Sequence, residues 1–102
     1  MTDFPDRRTP EVWLMPVFTP APGRAQDLRK ALAELQGASR DDEGCLQYTV
    51  FDDGSRFVLI EGWRRQTDLD AHNEQAHTRD FVAVSPDLLA ERFTVTPVTP
   101  LA

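Results

Sequence analysis

The residues of this 102-residue chain that could do chemistry are two histidines, His72 and His77, and a carboxylate, Glu61, in an otherwise apolar segment. An imidazole accepts a proton near neutral pH, and a carboxylate can orient it by hydrogen bonding. Trp63 stands two positions after Glu61, so both side chains point to the same face of a strand. A base, a carboxylate and an aromatic wall together favour a cleft that binds a flat ring and moves a proton.

Each of these residues also has a plain structural interpretation, which the sequence leaves open. Glu61 could lie near a strand end and pair with Arg64, because a buried carboxylate is costly without a partner. Trp63 could be an ordinary core aromatic, and His72 could be a hydrogen-bonded core residue. Tyr48 and Asn73 are weaker site candidates, since the phenol could reach solvent and the amide could simply end a helical turn.

The spacing of the two histidines bears on metal binding. On a straight helix, five positions correspond to a rotation of about 140°, so His72 and His77 would neither share a face nor chelate a metal. A break near residues 75–76 would instead let the two rings converge. With one cysteine in the chain, the sequence predicts no metal site, and the absence of a nucleotide motif predicts no organic cofactor.

The hydrophobic pattern predicts one α+β domain with the element order βαββαβ. The predicted strands cover 11–18, 45–51, 56–64 and 93–96. Ala25, Leu28, Leu32 and Leu35 recur at helical spacing and predict a first helix, which stops near Gly37. The second runs from 67 to 74 and resumes near 77, with Phe81, Val84 and Leu88 on one side and an interruption at Ser85-Pro86. Residues 1–10 and 99–102 are predicted to be tails around a domain at 11–98.

The third strand predicts a homodimer. Phe57, Leu59, Glu61 and Trp63 point one way, and Val58 and Ile60 point the other way, so both faces are apolar. An antiparallel sheet with one wet face should alternate apolar and polar residues. Because this chain has helices enough to cover only one face, a second copy of the sheet is the expected cover for the other.

Composition excludes several classes of partner. The net charge is −6, from 11 basic and 17 acidic residues, which disfavours nucleic acid and anionic membranes. The sequence has no apolar run long enough to span a membrane and no apolar signal-peptide segment at its start. A single cysteine, Cys45, fits a reducing compartment. These features predict a cytoplasmic protein.

Three segments resemble the antibiotic biosynthesis monooxygenase (ABM) family over roughly residues 11–98. They are Glu43-Gly44-Cys45-Leu46-Gln47-Tyr48, Phe57-Val58-Leu59-Ile60-Glu61-Gly62-Trp63, and Leu69-Asp70-Ala71-His72-Asn73 followed by His77 and Phe81. The resemblance implies a ferredoxin-like fold that dimerises into an α/β barrel, with two sheets meeting and the helices outside.

The resemblance also implies cofactor-independent oxidation of a phenolic, hydroquinone or anthrone-like ring by dioxygen. On this view His72 is the base, Glu61 orients it, and Tyr48 or His77 binds a substrate oxygen. The implied walls are Trp63, Phe81 and Met15, with Asn73 as a further substrate contact.

The sequence leaves two other functions to compare with this one. Haem-degrading relatives carry an Asn on the first strand, a Trp on the short helix and a His on the next helix. This sequence has Pro16, His72 and Val82 at those places, so haem degradation is disfavoured. A dimeric module that binds a small molecule without converting it is the non-enzymatic alternative.

Overall fold

The computed structural model describes residues 10–101, which form four strands and three helices. They are β1 (Val12–Phe18), α1 (Ala25–Ser39), β2 (Cys45–Asp52), β3 (Phe57–Trp63), α2 (Gln66–Asn73), α3 (Ala76–Leu88) and β4 (Thr94–Val98). This is the predicted βαββαβ order with the second helix divided in two. Most of the predicted N-terminal tail, residues 1–9, lies outside the described residues, as does residue 102.

The strands form one antiparallel sheet in the spatial order β2-β3-β1-β4. The apolar faces of the helices pack against one side of this sheet and form a single core with it. That core contains Leu28, Leu32 and Leu35 of α1 together with residues of the sheet and of α2 and α3. The arrangement confirms the predicted α+β, ferredoxin-like class.

The first helix is longer than predicted. Gly37 was expected to stop it, but α1 continues to Ser39. A helix that ends on glycine usually places that glycine in a left-handed conformation. Gly37 is not among the glycines with positive φ, which are Gly23, Gly44 and Gly54, so it is an ordinary helical residue.

The helical segment after β3 breaks between the two histidines. α2 ends at Asn73, α3 begins at Ala76, and Gln75 between them is extended, with ψ at 148°. The predicted interruption at Ser85-Pro86 is wrong, because α3 runs to Leu88. Pro86 has no N–H for the carbonyl of Val82, and the Ser85 hydroxyl donates to that carbonyl instead, at 2.9 Å.

One side of α3 also differs from the prediction. Phe81 and Leu88 are buried as expected, but Val84 is 46% exposed. Its position on the helix is turned away from the sheet, and Ser85 takes the buried place beside it. The core-facing side of α3 is therefore shifted by one residue from the predicted one.

The two faces of the sheet are covered unequally. Phe57, Leu59, Glu61 and Trp63 are buried beneath the helices, whereas Val58 and Ile60 are only half-buried. The strand registers place seven apolar side chains on the side away from the helices, here called the open face. The open face consists of Trp13, Met15, Val17, Phe51, Val58, Ile60 and Val98.

Candidate functional site

Asp42 is a carboxylate shared by the two imidazoles. Its Oδ2 lies 2.7 Å from Nδ1 of His72 and 2.8 Å from Nε2 of His77. Asp42 lies in the loop before β2, His72 in the last turn of α2, and His77 in the first turn of α3. The break between α2 and α3 brings the rings together, with centroids 5.9 Å apart.

This geometry corrects the expectation for a straight helix. The two imidazoles do converge, and the ligand atoms of Asp42, His72 and His77 all lie within 4.8 Å of one another. The straight-helix alternative is therefore wrong, and the alternative with a break near residues 75–76 is confirmed. Asp42 was not predicted as a site residue, because an acidic residue in a turn that binds a histidine has no sequence pattern that distinguishes it from an acidic residue that only faces solvent.

The shared carboxylate fixes how each ring carries its hydrogen. An ionised carboxylate only accepts hydrogen bonds, so the two nitrogens that face it are the protonated ones. His72 then has its hydrogen on Nδ1 and a lone pair on Nε2. This is the arrangement that prepares an imidazole to accept a proton at its second nitrogen.

His72 is deeply buried, with 3% of its surface exposed. Burial lowers the pKa of His72, because the charged ring loses its hydration, and the nearby His77 lowers it further. The hydrogen bond and the negative charge of Asp42 oppose that shift. The Thr78 hydroxyl lies 3.3 Å from each ring nitrogen of His72.

Glu61 does not have the partners that were expected for it. Its Oε1 accepts a 2.8 Å hydrogen bond from Nε1 of Trp63. Arg64, the alternative partner, instead binds Asp68 and Glu43. Desolvation raises the pKa of Glu61, and the indole hydrogen bond partly offsets the rise. The carboxylate that is hydrogen-bonded to His72 is therefore Asp42 and not the predicted Glu61.

Trp63 supports the imidazole from behind. Its ring lies 4.5 Å from that of His72, at an interplanar angle of 34°, and the side chain is fully buried. The Tyr48 ring lies 5.5 Å from His72 on another side. Burial, and next the charge of Glu61, raise the pKa of Tyr48, so its hydroxyl stays a hydrogen-bond donor.

A cavity of about 250 Å³ lies between the sheet and the helices. Its polar lining consists of Tyr48, Glu61, His72, Asn73 and Thr78. Its apolar lining consists of Leu14, Pro16, Phe18, Leu35, Leu59, Leu69, Phe81, Val82, Phe93 and Val95. Convergent polar groups inside an apolar pocket are the usual form of a small-molecule site.

The predicted site residues divide into two groups around this cavity. Five of them line it, namely Tyr48, Glu61, His72, Asn73 and Phe81. The other three do not: Trp63 lies behind the imidazole, His77 lies behind Asp42, and Met15 lies on the open face. Met15 is a correction, because the alternation of side chains along β1 directs it to the other side of the sheet.

A larger cavity, of about 710 Å³, lies at the end of α3. Its charged lining residues, Glu91 and Arg92, follow the helix in an exposed loop. It contains neither imidazole and neither Glu61 nor Tyr48. The smaller cavity is the candidate site because four of its five polar lining residues are buried and all five converge on one space.

Comparison with known proteins identifies the family. Residues 12–84 match the family described as "Antibiotic biosynthesis monooxygenase". The chain belongs to this family. Membership supports a monooxygenase-like function for the ABM domain and leaves its substrate open.

Several relatives are similar along most of the ABM domain. "Putative monooxygenase Rv0793" of Mycobacterium tuberculosis is 31% identical over 86 residues, which cover 82% of this chain and 85% of that protein. "Putative monooxygenase YcnE" of Bacillus subtilis is 32% identical over 72 residues, covering 68% and 76%. "Uncharacterized protein sll1783" of Synechocystis is 38% identical over 56 residues, but the match spans only 38% of that protein.

Solved structures agree with the fold. The structure of Rv0793 from Mycobacterium tuberculosis has a TM-score of 0.85 at 30% identity, covering 90% of this chain and 96% of that one. PA3566 from Pseudomonas aeruginosa has a TM-score of 0.84 at 32% identity, covering 90% and 95%. Within residues 10–101, no helix has the length and apolar character to cross a membrane.

Proposed function

We propose that this ABM protein oxidises a small phenolic, hydroquinone or anthrone-like ring with dioxygen, without a resident cofactor. The observation that carries the proposal is the placement of His72, which Asp42 orients, in the wall of a mostly apolar cavity. Family membership supports the monooxygenase class. The substrate class is the one that the family resemblance implies, and the mostly apolar lining of the cavity supports it.

The cavity favours a compact aromatic substrate. Its volume of about 250 Å³ is below the range of about 300–1,000 Å³ that is typical of pockets for drug-sized ligands. Phe18, Phe81 and Phe93 offer aromatic surface to a flat ring. One- and two-ring phenols therefore fit the proposal better than three-ring anthrones.

The proposed reaction starts with a proton transfer. His72 accepts the phenolic proton at Nε2, and the negative charge of Asp42 stabilises the imidazolium that forms. The phenolate gives one electron to dioxygen, and the resulting phenoxyl radical and superoxide combine at a ring carbon. The peroxide then loses water, so one oxygen atom enters the ring, the other leaves as water, and the ring becomes a quinone.

Other residues of the cavity have supporting roles in this proposal. In this proposal the Tyr48 hydroxyl donates a hydrogen bond to a substrate oxygen, which is supported by the position of Tyr48 in the cavity lining, and Asn73 contributes its amide at the exposed edge. Glu61 holds its proton to a higher pH than an exposed glutamate does, which suits it to return a proton to the leaving peroxide oxygen.

The proposal includes a homodimer formed through the open face. Phe51 is 51% exposed there, and Val58 and Ile60 are half-buried beside it. A second copy of the same sheet would cover these apolar side chains, as the family resemblance implies. The single cysteine of the chain, Cys45, supports the proposed location in the reducing cytoplasm.

Oxygen uptake by the metal-free protein, with a panel of hydroquinones, naphthols and anthrones, tests the function. His72→Ala should lower turnover by about 10²–10⁴-fold, the usual contribution of a positioned acid–base group. His72→Gln should recover little, because an amide takes no proton at neutral pH. Asp70→Asn, on the exposed side of α2, is the matched control and should turn over normally. Tight binding of a ring compound without oxygen uptake would favour the non-catalytic module.

A further inference from the structure

We propose that Asp42, His72 and His77 form a binding site for a divalent cation of the zinc class. Two imidazoles and one carboxylate, with an open fourth position for water, are a common ligand set for zinc. Here the three ligands come from three separate elements, the loop before β2, α2 and α3, and their ligand atoms lie within 4.8 Å of one another.

For an ion to enter, the two N–O distances must lengthen slightly, and the two nitrogens, which lie within 4.8 Å of each other, must come to a similar separation. Ligands at about 2.0–2.1 Å from a tetrahedral zinc ion lie about 3.4 Å from each other. The two nitrogens now lie 2.7 and 2.8 Å from the same Asp42 oxygen. The N–O pairs therefore need to open by about 0.6–0.7 Å.

The site also has an entrance and a favourable charge. The His77 side chain is 25% exposed, whereas those of Asp42 and His72 are 9% and 3% exposed. A cation can thus reach the cluster from the His77 side without crossing the substrate cavity. Asp42 brings a negative charge to the cluster, and the whole chain carries a net charge of −6.

Binding would have a consequence for the chemistry proposed above. A cation on Nδ1 of His72 must take the place of the hydrogen there, so a neutral ring then carries its hydrogen on Nε2. Nε2 faces away from Asp42 and could no longer accept a proton. The cation would therefore inhibit oxidation, and this consequence, unlike the binding itself, rests on the proposed function.

Histidine NMR offers a direct test, because the chain has only two histidines. The full chain, without an affinity tag, is titrated with Zn²⁺, and two-bond proton–nitrogen correlations are recorded on both rings. We expect saturation at one ion per chain, with one ring bound through Nδ1 and the other through Nε2. Ring signals that stay unchanged at saturating Zn²⁺, or any other pair of bound nitrogens, would overturn the proposal.

Calorimetry on variants gives a second, independent measurement. His77→Gln removes a partly exposed ligand and should weaken Zn²⁺ binding by at least about 100-fold. Loss of a residue that only contacts a ligand weakens metal binding by about 10- to 100-fold, so loss of a ligand itself should cost at least the upper value. Glu74→Gln changes an exposed carboxylate near the same helix break and should bind Zn²⁺ as tightly as the parent chain. Equal affinity in His77→Gln and the parent would overturn the site.

The two proposals fail in different ways. If the histidine signals respond to Zn²⁺ as expected but the metal-free chain oxidises no ring compound, the cation site is supported and the proposed function is wrong. If the chain oxidises a hydroquinone but its histidine signals do not change with Zn²⁺, the proposed function is supported and the cation site is wrong.

Discussion

Replacement of Asp42 by asparagine is the sharpest test of how the site is built. In the native chain one carboxylate oxygen faces both imidazoles, at 2.7 and 2.8 Å. In the variant, the atom at that place is either an amide oxygen or an amide nitrogen. The oxygen keeps both hydrogen bonds but loses the charge that stabilises an imidazolium. The nitrogen donates to both rings and so forces His72 into the tautomer that cannot accept a proton at Nε2.

Both outcomes lower the rate and the stability. Loss of the correct tautomer or of the stabilising charge should reduce turnover by about 10²–10⁴-fold, which corresponds to about 3–5 kcal/mol of activation free energy. Hydrogen bonds to a charged group contribute about 1.5–3 kcal/mol each, and neutral ones about 0.5–1.5 kcal/mol. With two such bonds weakened at Asp42, the free energy of unfolding should fall by about 2–3 kcal/mol.

The assay compares oxygen uptake per folded molecule, with the folded fraction taken from urea denaturation of the same preparation. Asp41→Asn is the matched control, since it removes a neighbouring carboxylate that is exposed to solvent and should change neither quantity. If Asp42→Asn loses less than tenfold in turnover, below about 1.4 kcal/mol, Asp42 does not orient the base and the proposed site is wrong.

Three further perturbations test other parts of the structure. Glu61→Gln removes a carboxylate whose pKa is raised by burial. Because this pKa is higher in the folded chain than in the unfolded chain, the native protein loses stability as pH rises above the pKa of the unfolded chain. The variant should therefore gain stability relative to the native chain as pH rises above the unfolded glutamate pKa of about 4.3, measured by urea denaturation, and a difference that is flat with pH would contradict this. Phe51→Glu places a charge on the open face and should convert the proposed dimer to monomer in sedimentation velocity, whereas an unchanged sedimentation coefficient would exclude the open face as the interface. Gly44→Ala should lower the free energy of unfolding by about 1–2 kcal/mol or more, because Gly44 has φ of +79° and a Cβ there would meet the side chain of Asp68; an unchanged melting temperature would show that the turn relaxes freely.

Much of the fold follows from local patterns in the sequence. The spacing of Leu28, Leu32 and Leu35 predicts α1 and its buried side, and the structure confirms both. The alternation along β3 predicts which residues share a face, and the structure places Glu61 and Trp63 beneath the helices. These predictions succeed because helix and strand periodicities are short-range properties that any few consecutive residues display.

Element ends were less predictable than element types. Gly37 and Pro86 are residues that often end or interrupt helices, yet both lie within one. At Pro86 the Ser85 hydroxyl compensates for the missing N–H, and burial of Leu88 on the core favours continuation of the helix. Tertiary packing thus outweighed the local preference of a single residue.

The sequence by itself determined the family, the order of the elements and the presence of imidazoles, carboxylates and aromatic side chains in one region. It did not determine which carboxylate meets which imidazole. Asp42 reaches His72 across 30 positions and His77 across 35, while Glu61 turns to its near neighbour Trp63. Only the tertiary structure decides such pairs, because they depend on where a loop and a helix break come to lie in space, and no local periodicity encodes that.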